Sequence, residues 1–243
     1  MLRKVTQLQR CTLRARDGEI GTVEQLYFDD ETWAVRYLVV NTGSWLAGRR
    51  ALISPIAVGQ TDWESKQLEV ALTKKEVEGS PEINTDKPIS RQHEAALWAS
   101  TSYPAGLPTL GSVAAEASAS RADTESADSH LRSTKEVTGY FIEAADGEIG
   151  HVEDFMVDLH TWTIQYLEVN TRNWWPGKKV LISPRWIERV SWMDANVYVN
   201  LSRDAIKNGP EYMDSMPVTR EYEHRMWDHY KCAAAFRPVA EQP

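Results

Sequence analysis

Asp17 to Pro55 reads DGEIGTVEQLYFDDETWAVRYLVVNTGSWLAGRRALISP, and 129 positions later Asp146 to Pro184 reads DGEIGHVEDFMVDLHTWTIQYLEVNTRNWWPGKKVLISP. The two stretches align without a gap. At the same offset Trp63 meets Trp192, Pro81-Glu82 meets Pro210-Glu211, Arg91 meets Arg220, Glu94 meets Glu223 and Trp98 meets Trp227, while upstream Leu2-Arg3 meets Leu131-Arg132. One unit of about a hundred residues is therefore present twice, a period too long for a solenoid.

Within each copy the local signals are those of short strands. Asp17-Gly18 and Asp146-Gly147 sit between alternating apolar runs, the strongest short hairpin signal. Gly21 and Gly150 lie just inside the next strand, where a missing side chain marks a bulge or a corner. Ile20 to Phe28 and Trp33 to Val40 are β-branched and aromatic and are separated by the turn formers Asp29 to Thr32. In the third strand Val35 and Tyr37 point one way and Leu38 and Val40 the other, as do Ile164, Tyr166, Leu167 and Val169. Either both faces are covered or the phase changes near Tyr37-Leu38, and a bulge there is the favoured reading. The loops Asn41 to Gly48 and Asn170 to Gly177 follow, and Arg49-Arg50 and Lys178-Lys179 are expected to keep the exit strand solvated. With Ala51 to Pro55 and two further runs, up to Trp63 and from Gln67 to Leu72, about six short strands at turn spacing predict a small barrel.

A short helix is expected after Thr73 and after Ser202, each a capping residue. A second helix is expected over Ser90 to Ala99 and Thr219 to His229, where Glu94 and Glu223 fall one place beyond the capping-box position. Residues 1–103 and 131–232 thus read as the two repeats with C-terminal helices, and 233–243 as a tail. Between them 104–130, rich in Ala, Ser and Pro, reads as a flexible linker with too little apolar surface to offset ordering entropy. The fold class is mainly β with short helices: two small barrels, each with a helical extension.

The chain of 243 residues has a formal net charge of −8 with scattered Lys and Arg, which disfavours nucleic acid, since phosphate backbones demand clustered cations. No apolar run approaches the roughly 20 residues of a membrane span. The N-terminus MLRKVTQLQRC lacks the apolar core of a signal peptide, so a cytoplasmic location is expected. Cys11 and Cys232 align with tyrosines, not with each other, and read as a core thiol in a strand and a free thiol in a tail.

On DGEIGTVEQLYFDD with WLAGRRALISP, and on DGEIGHVEDFMVD with WWPGKKVLISP, the chain resembles the PRC-barrel family. This is the barrel of the cytoplasmic domain of the photosynthetic reaction-centre H subunit and of the C-terminal part of the ribosome maturation factor RimM. The likeness spans about Leu8 to Leu72 and Val137 to Leu201, and the helical segments resemble the extension of bacterial stand-alone members. The resemblance implies an interaction module and, through the fold alone, an association with photosynthetic electron transfer.

The polar residues that recur, Glu19/Glu148, Glu24/Glu153, Asp29/Asp158, Thr42/Thr171, Ser54/Ser183 and Glu94/Glu223 among them, include no shared His, Cys or Lys to act as base or nucleophile. Glu24 and Asp29 are five apart along a strand and so face opposite ways unless a bulge intervenes. His224 and His229 have a poor helical spacing for one metal. No catalytic, cofactor-binding or metal-ligating set is therefore assigned, and no cofactor is expected. The interaction residues are Trp45, Trp174 and Trp175: Trp45 and Trp174 as anchors of their own loops, Trp175, opposite Leu46, as the contact peculiar to one copy. The function expected is a non-catalytic adaptor that binds an unidentified protein partner, its two barrels pairing within one chain. The alternative is a small-ligand protein or enzyme using an acidic cleft between copies.

Overall fold

The computed structural model describes residues 1–79, 130–171 and 177–234. The expected first-copy helix over Ser90 to Ala99, most of the linker, Trp174, Trp175 and the tail from residue 235 lie outside the described residues. The strands, in chain order, are β1 (Leu2–Lys4), β2 (Thr12–Ala15), β3 (Gly18–Asp29), β4 (Val35–Asn41), β5 (Arg50–Ile53), β6 (Val58–Asp62) and β7 (Gln67–Val70), then β8 (Leu131–Ser133), β9 (Phe141–Ala144), β10 (Gly147–Asp158), β11 (Thr163–Asn170), β12 (Lys179–Ile182), β13 (Ile187–Ser191) and β14 (Asn196–Val199).

The chain divides into two compact units, Thr6–Lys135 and Met1–Val5 with Glu136–Pro243. These do not begin where the repeats begin. Residues 1–5 open the first repeat in sequence but belong to the unit built from the second, because β1 pairs antiparallel with β10. Conversely β8, the first strand of the second repeat, pairs antiparallel with β3. The chain crosses from one unit to the other inside two matching short helices, Val5–Leu8 and Thr134–Val137.

In the Thr6–Lys135 unit the sheet runs β5-β4-β3-β2-β7-β6 with β8 added on β3, and the ladder stays open between β5 and β6. The hairpin at Asp17-Gly18 forms as expected, with Ala15 opposite Gly18. The register slips between Leu13 and Arg14, opposite Gly21 and Glu19, so the glycine marks a bulge. In β4 the phase change is at Arg36, one residue earlier than expected: Tyr27 pairs Tyr37 but Phe28 pairs Val35. Beyond it Tyr37 to Val40 are all buried, so both faces are also covered. Leu13, Ile20, Leu26, Phe28, Leu38 and Ile53 are buried. Tyr27, Tyr37, Val39, Leu52 and Leu131 form a buried cluster that the strand from the other repeat completes. Thr73 caps the helix Lys74–Glu78 in a full capping box with Glu76. Cys11 is buried just ahead of β2, and its Sγ donates to the Gln7 carbonyl.

The other unit repeats this order as β12-β11-β10-β9-β14-β13 with β1 on β10. Its bulges fall at equivalent places, between Val152 and Asp154 and between Met156 and Val157. The final helix runs Arg220–Ala234, so Cys232 lies in a helix and not in a tail. Thr219 Oγ1 accepts from Tyr222 N at its start. Tyr222, Met226 and Tyr230, four apart, form its buried stripe. Trp186 packs on Trp227 and on Tyr230 at 4.9 and 4.8 Å between ring centroids. The carboxylate of Glu223, misplaced for a capping box, instead accepts from Tyr166 Oη at 2.9 Å.

Candidate functional site

The Trp45 loop is held by its own unit. The loop closes where Thr42 Oγ1 donates to the Arg49 carbonyl at 2.7 Å, and Thr171 repeats this on Lys178 at 2.8 Å, which explains the recurring threonine. Trp45 Nε1 donates to the Ile20 carbonyl at 2.6 Å, and Lys74 Nζ stands 5.3 Å from its ring centre. The side chain is half-buried.

Four of the recurring carboxylates, Glu24, Glu153, Asp29 and Asp158, are paired with nearby cations. Glu24 receives Arg50 in a two-pronged contact at 2.9 and 2.9 Å, and Lys135 at 3.1 Å. Asp29 accepts the amides of Glu31 and Thr32 and pairs with Arg36 at 3.2 Å. Burial alone would raise the Asp29 pKa, but the Thr32 amide and the Arg36 charge hold it below the ordinary value. Glu24 and Asp29 thus serve separate partners. The basic pairs after the loop are not simply solvating: Arg50 and Lys179 pair with Glu24 and Glu153, and Arg49 donates to the Glu78 carbonyl. The reason is the bulge, which turns Glu24 and Glu153 out of the strand alternation toward the next strand.

One charge cluster has no equivalent in the other copy. Glu168, on β11 where the first copy has Val39, has a fully buried side chain. Its carboxylate forms ion pairs with Lys4 and, at 2.8 Å, with Lys179. Lys179 also meets Glu153 at 2.6 Å and Asp214 at 3.2 Å, and Lys4 meets Asp214 at 2.5 Å. The Tyr212 ring lies 5.1 Å from Lys4 Nζ. Burial by itself would lower the pKa of both lysines, but the surrounding carboxylates raise both above the ordinary value. Lys4 and Lys179 in turn hold Asp214 below the ordinary carboxylate range. The sequence reading missed Glu168. Its signal was a carboxylate inside an apolar run, TIQYLEV, whose counterpart is Val39.

A second copy-specific feature is apolar and exposed. Phe141 on β9 is 42% exposed, Trp192 42% and Met193 89%. They share one rim, since the Phe141 amide donates to the Ala195 carbonyl and the Ala195 amide to that of Trp192. At the matching positions the first copy has Thr12, a half-buried Trp63 and Glu64. His229, considered as a ligand, contacts the Ala205 carbonyl at 2.8 Å. Among the described residues no group of three or more His, Cys, Asp or Glu is placed to hold a metal ion.

Residues 3–77 match the family model for the PRC-barrel domain, from β1 through the helix Lys74–Glu78. The chain carries a PRC-barrel domain. The second repeat follows the first PRC barrel by its gap-free alignment and identical strand order. A comparison with curated proteins returns no match. Among the described residues no helix is long and apolar enough to cross a membrane.

Proposed function

We propose that this PRC-barrel protein is a non-catalytic binding module that docks a protein partner on the exposed rim of its second repeat. The observation that carries the reading is the patch formed by Phe141, Trp192 and Met193, three large apolar side chains on adjoining backbone in one copy only. Exposed aromatic and methionine side chains grouped in this way are typical of protein contact surfaces. The recurring Thr42/Thr171, Glu24/Glu153 and Asp29/Asp158 support it from the other side, because their roles as loop, turn and ion-pair partners account for their recurrence without chemistry. The resemblance to the reaction-centre H subunit supports an association with photosynthetic electron transfer at the level of the fold only.

The test is comparative cross-linking in the native cell. The full chain and a Trp192→Ser, Met193→Ser variant serve as baits after matched melting curves. A protein captured by the unaltered chain and lost with the variant supports the reading. An unchanged set of captured proteins rejects it.

A further inference from the structure

Each repeat places its first strand in the sheet of the other. The registers coincide: Leu2, Arg3 and Lys4 face Asp158, Val157 and Met156, while Leu131, Arg132 and Ser133 face the equivalent Asp29, Phe28 and Tyr27. The match to the PRC-barrel model begins at residue 3, inside β1, so this strand belongs by sequence to the first repeat and by pairing to the unit of the second. Backbone hydrogen bonds are the same at both edges and cannot choose between the two strands.

The side chains can. On β10 the Met1 ammonium pairs with Asp158 at 2.6 Å, and Lys4 enters the cluster of Glu168 and Asp214. On β3 the Arg132 guanidinium, 2% exposed, pairs with Asp30 at 2.7 Å, His130 Nδ1 lies 2.8 Å from the same carboxylate, and Ser133 Oγ donates to Gln25. Exchanging the occupants in the same register would put Arg3 in the place of Arg132 beside Asp30, which changes no charge there, but would set Lys4 beside Val39 and Gln25 and Ser133 beside Glu168. Glu168 would lose its Lys4 contact. The misplacement takes Lys4 from its carboxylates and leaves the buried Glu168 with Lys179 alone, the costly kind of error, while the correct placement pairs it with both.

We propose that the outer edge of β10 is a recognition site for an extended strand with a cation at the Lys4 position, that its occupant is the N-terminal strand of this same chain, and that Glu168 selects it. This is strand addition to a sheet edge, with main-chain bonds supplying adhesion and one buried ion pair supplying choice.

Zero-length carbodiimide coupling of the full chain, followed by peptide mass spectrometry, reads the occupant directly because it joins ammonium to carboxylate only at contact. The expected product is Met1 joined to Asp158, at least tenfold over Met1 joined to Asp29. In Lys4→Met that ratio falls at least tenfold. In a Glu168→Val, Val39→Glu variant it inverts. Should the double variant fail to fold, Lys4→Met alone decides. Preference for Asp29 in the unaltered chain, or an unchanged ratio in Lys4→Met, overturns the proposal. So does coupling found chiefly between heavy-isotope and ordinary chains in a mixture.

Discussion

A Cβ on Gly21 would stand 2.1 Å from the carbonyl oxygen of Asn41, and the second repeat reproduces the relationship at 2.2 Å between Gly150 and Asn170. Both glycines have positive φ, +146° and +83°. The obstacle is backbone, which cannot swing aside like a side-chain tip. Gly21→Ala and Gly150→Ala should each destabilise by about 2–4 kcal/mol, combining the strain of the backbone conformation with the displaced strand. Urea midpoints of the two variants check this, and a loss below about 0.5 kcal/mol would show the strands to be freer to part than the packing requires.

Trp45 offers a graded test. Trp45→Phe keeps a ring over the loop but removes the donor to Ile20, and should cost about 1 kcal/mol. Trp45→Ala also removes the ring, and being half-buried should cost about 2–3 kcal/mol, less than a core aromatic. If the alanine variant melts unchanged, the loop is not anchored by this residue.

The buried cluster should respond differently to single and paired changes. Lys179→Met leaves Glu168 and Glu153 with a depleted set of cations and should cost about 3 kcal/mol. Adding Glu168→Val, the residue type of the first repeat, should recover part of that loss, because an apolar substitute carries no desolvation penalty. A double-mutant cycle with additive losses would mean that the two side chains do not interact.

Acid and base should both weaken the unit that contains β1, each with a definite sign. Burial would raise the Glu153 and Asp158 pKa values, yet Lys179 and Asn170 around the first and the chain's ammonium beside the second leave both lowered; Asp214 is lowered chiefly by Lys4. Their contribution is complete above the ordinary carboxylate range near pH 4 and is lost as pH falls through the lowered folded values. Lys4 and Lys179 are raised, so theirs is complete below about pH 10 and is lost as pH climbs through the raised values. Glu168 and Tyr212 face the same lysines and are part of the cluster. Melting temperatures from pH 2 to 11 should show a plateau with two falling limbs, and the acid limb should be shallower in Asp214→Asn.

The hairpins, the bulge glycines and the six short strands were legible because they are local: Asp-Gly turns, glycines just inside a strand and β-branched runs act over a few residues. Glu168 was written in the sequence as a carboxylate where Val39 stands in the other copy, but a lone carboxylate in a strand reads as a turn or a solvent face until its cations are placed. One of those, Lys179, comes from the next strand, but the other, Lys4, arrives from the far N-terminus of the chain. The alignment of Leu2-Arg3 with Leu131-Arg132 signalled that a segment recurs. It could not say which sheet receives it, since both edges offer the same backbone pattern. The rim of Phe141, Trp192 and Met193 was hidden for a related reason: alternation tells which residues share a face, while the rest of the fold decides whether that face meets water.

The placement of Leu131–Ser133 on β3 also sets a timetable for synthesis. The six strands β2 to β7 leave the ribosome before the strand that finishes their sheet has been made, and the intervening residues take on the order of several seconds to translate. During that interval the β3 edge and the Tyr27, Tyr37, Val39 and Leu52 surface stand uncapped in the nascent chain. The emerging protein is thus most vulnerable to clumping midway through translation, when neighbouring polysomal copies present the same unfinished edge.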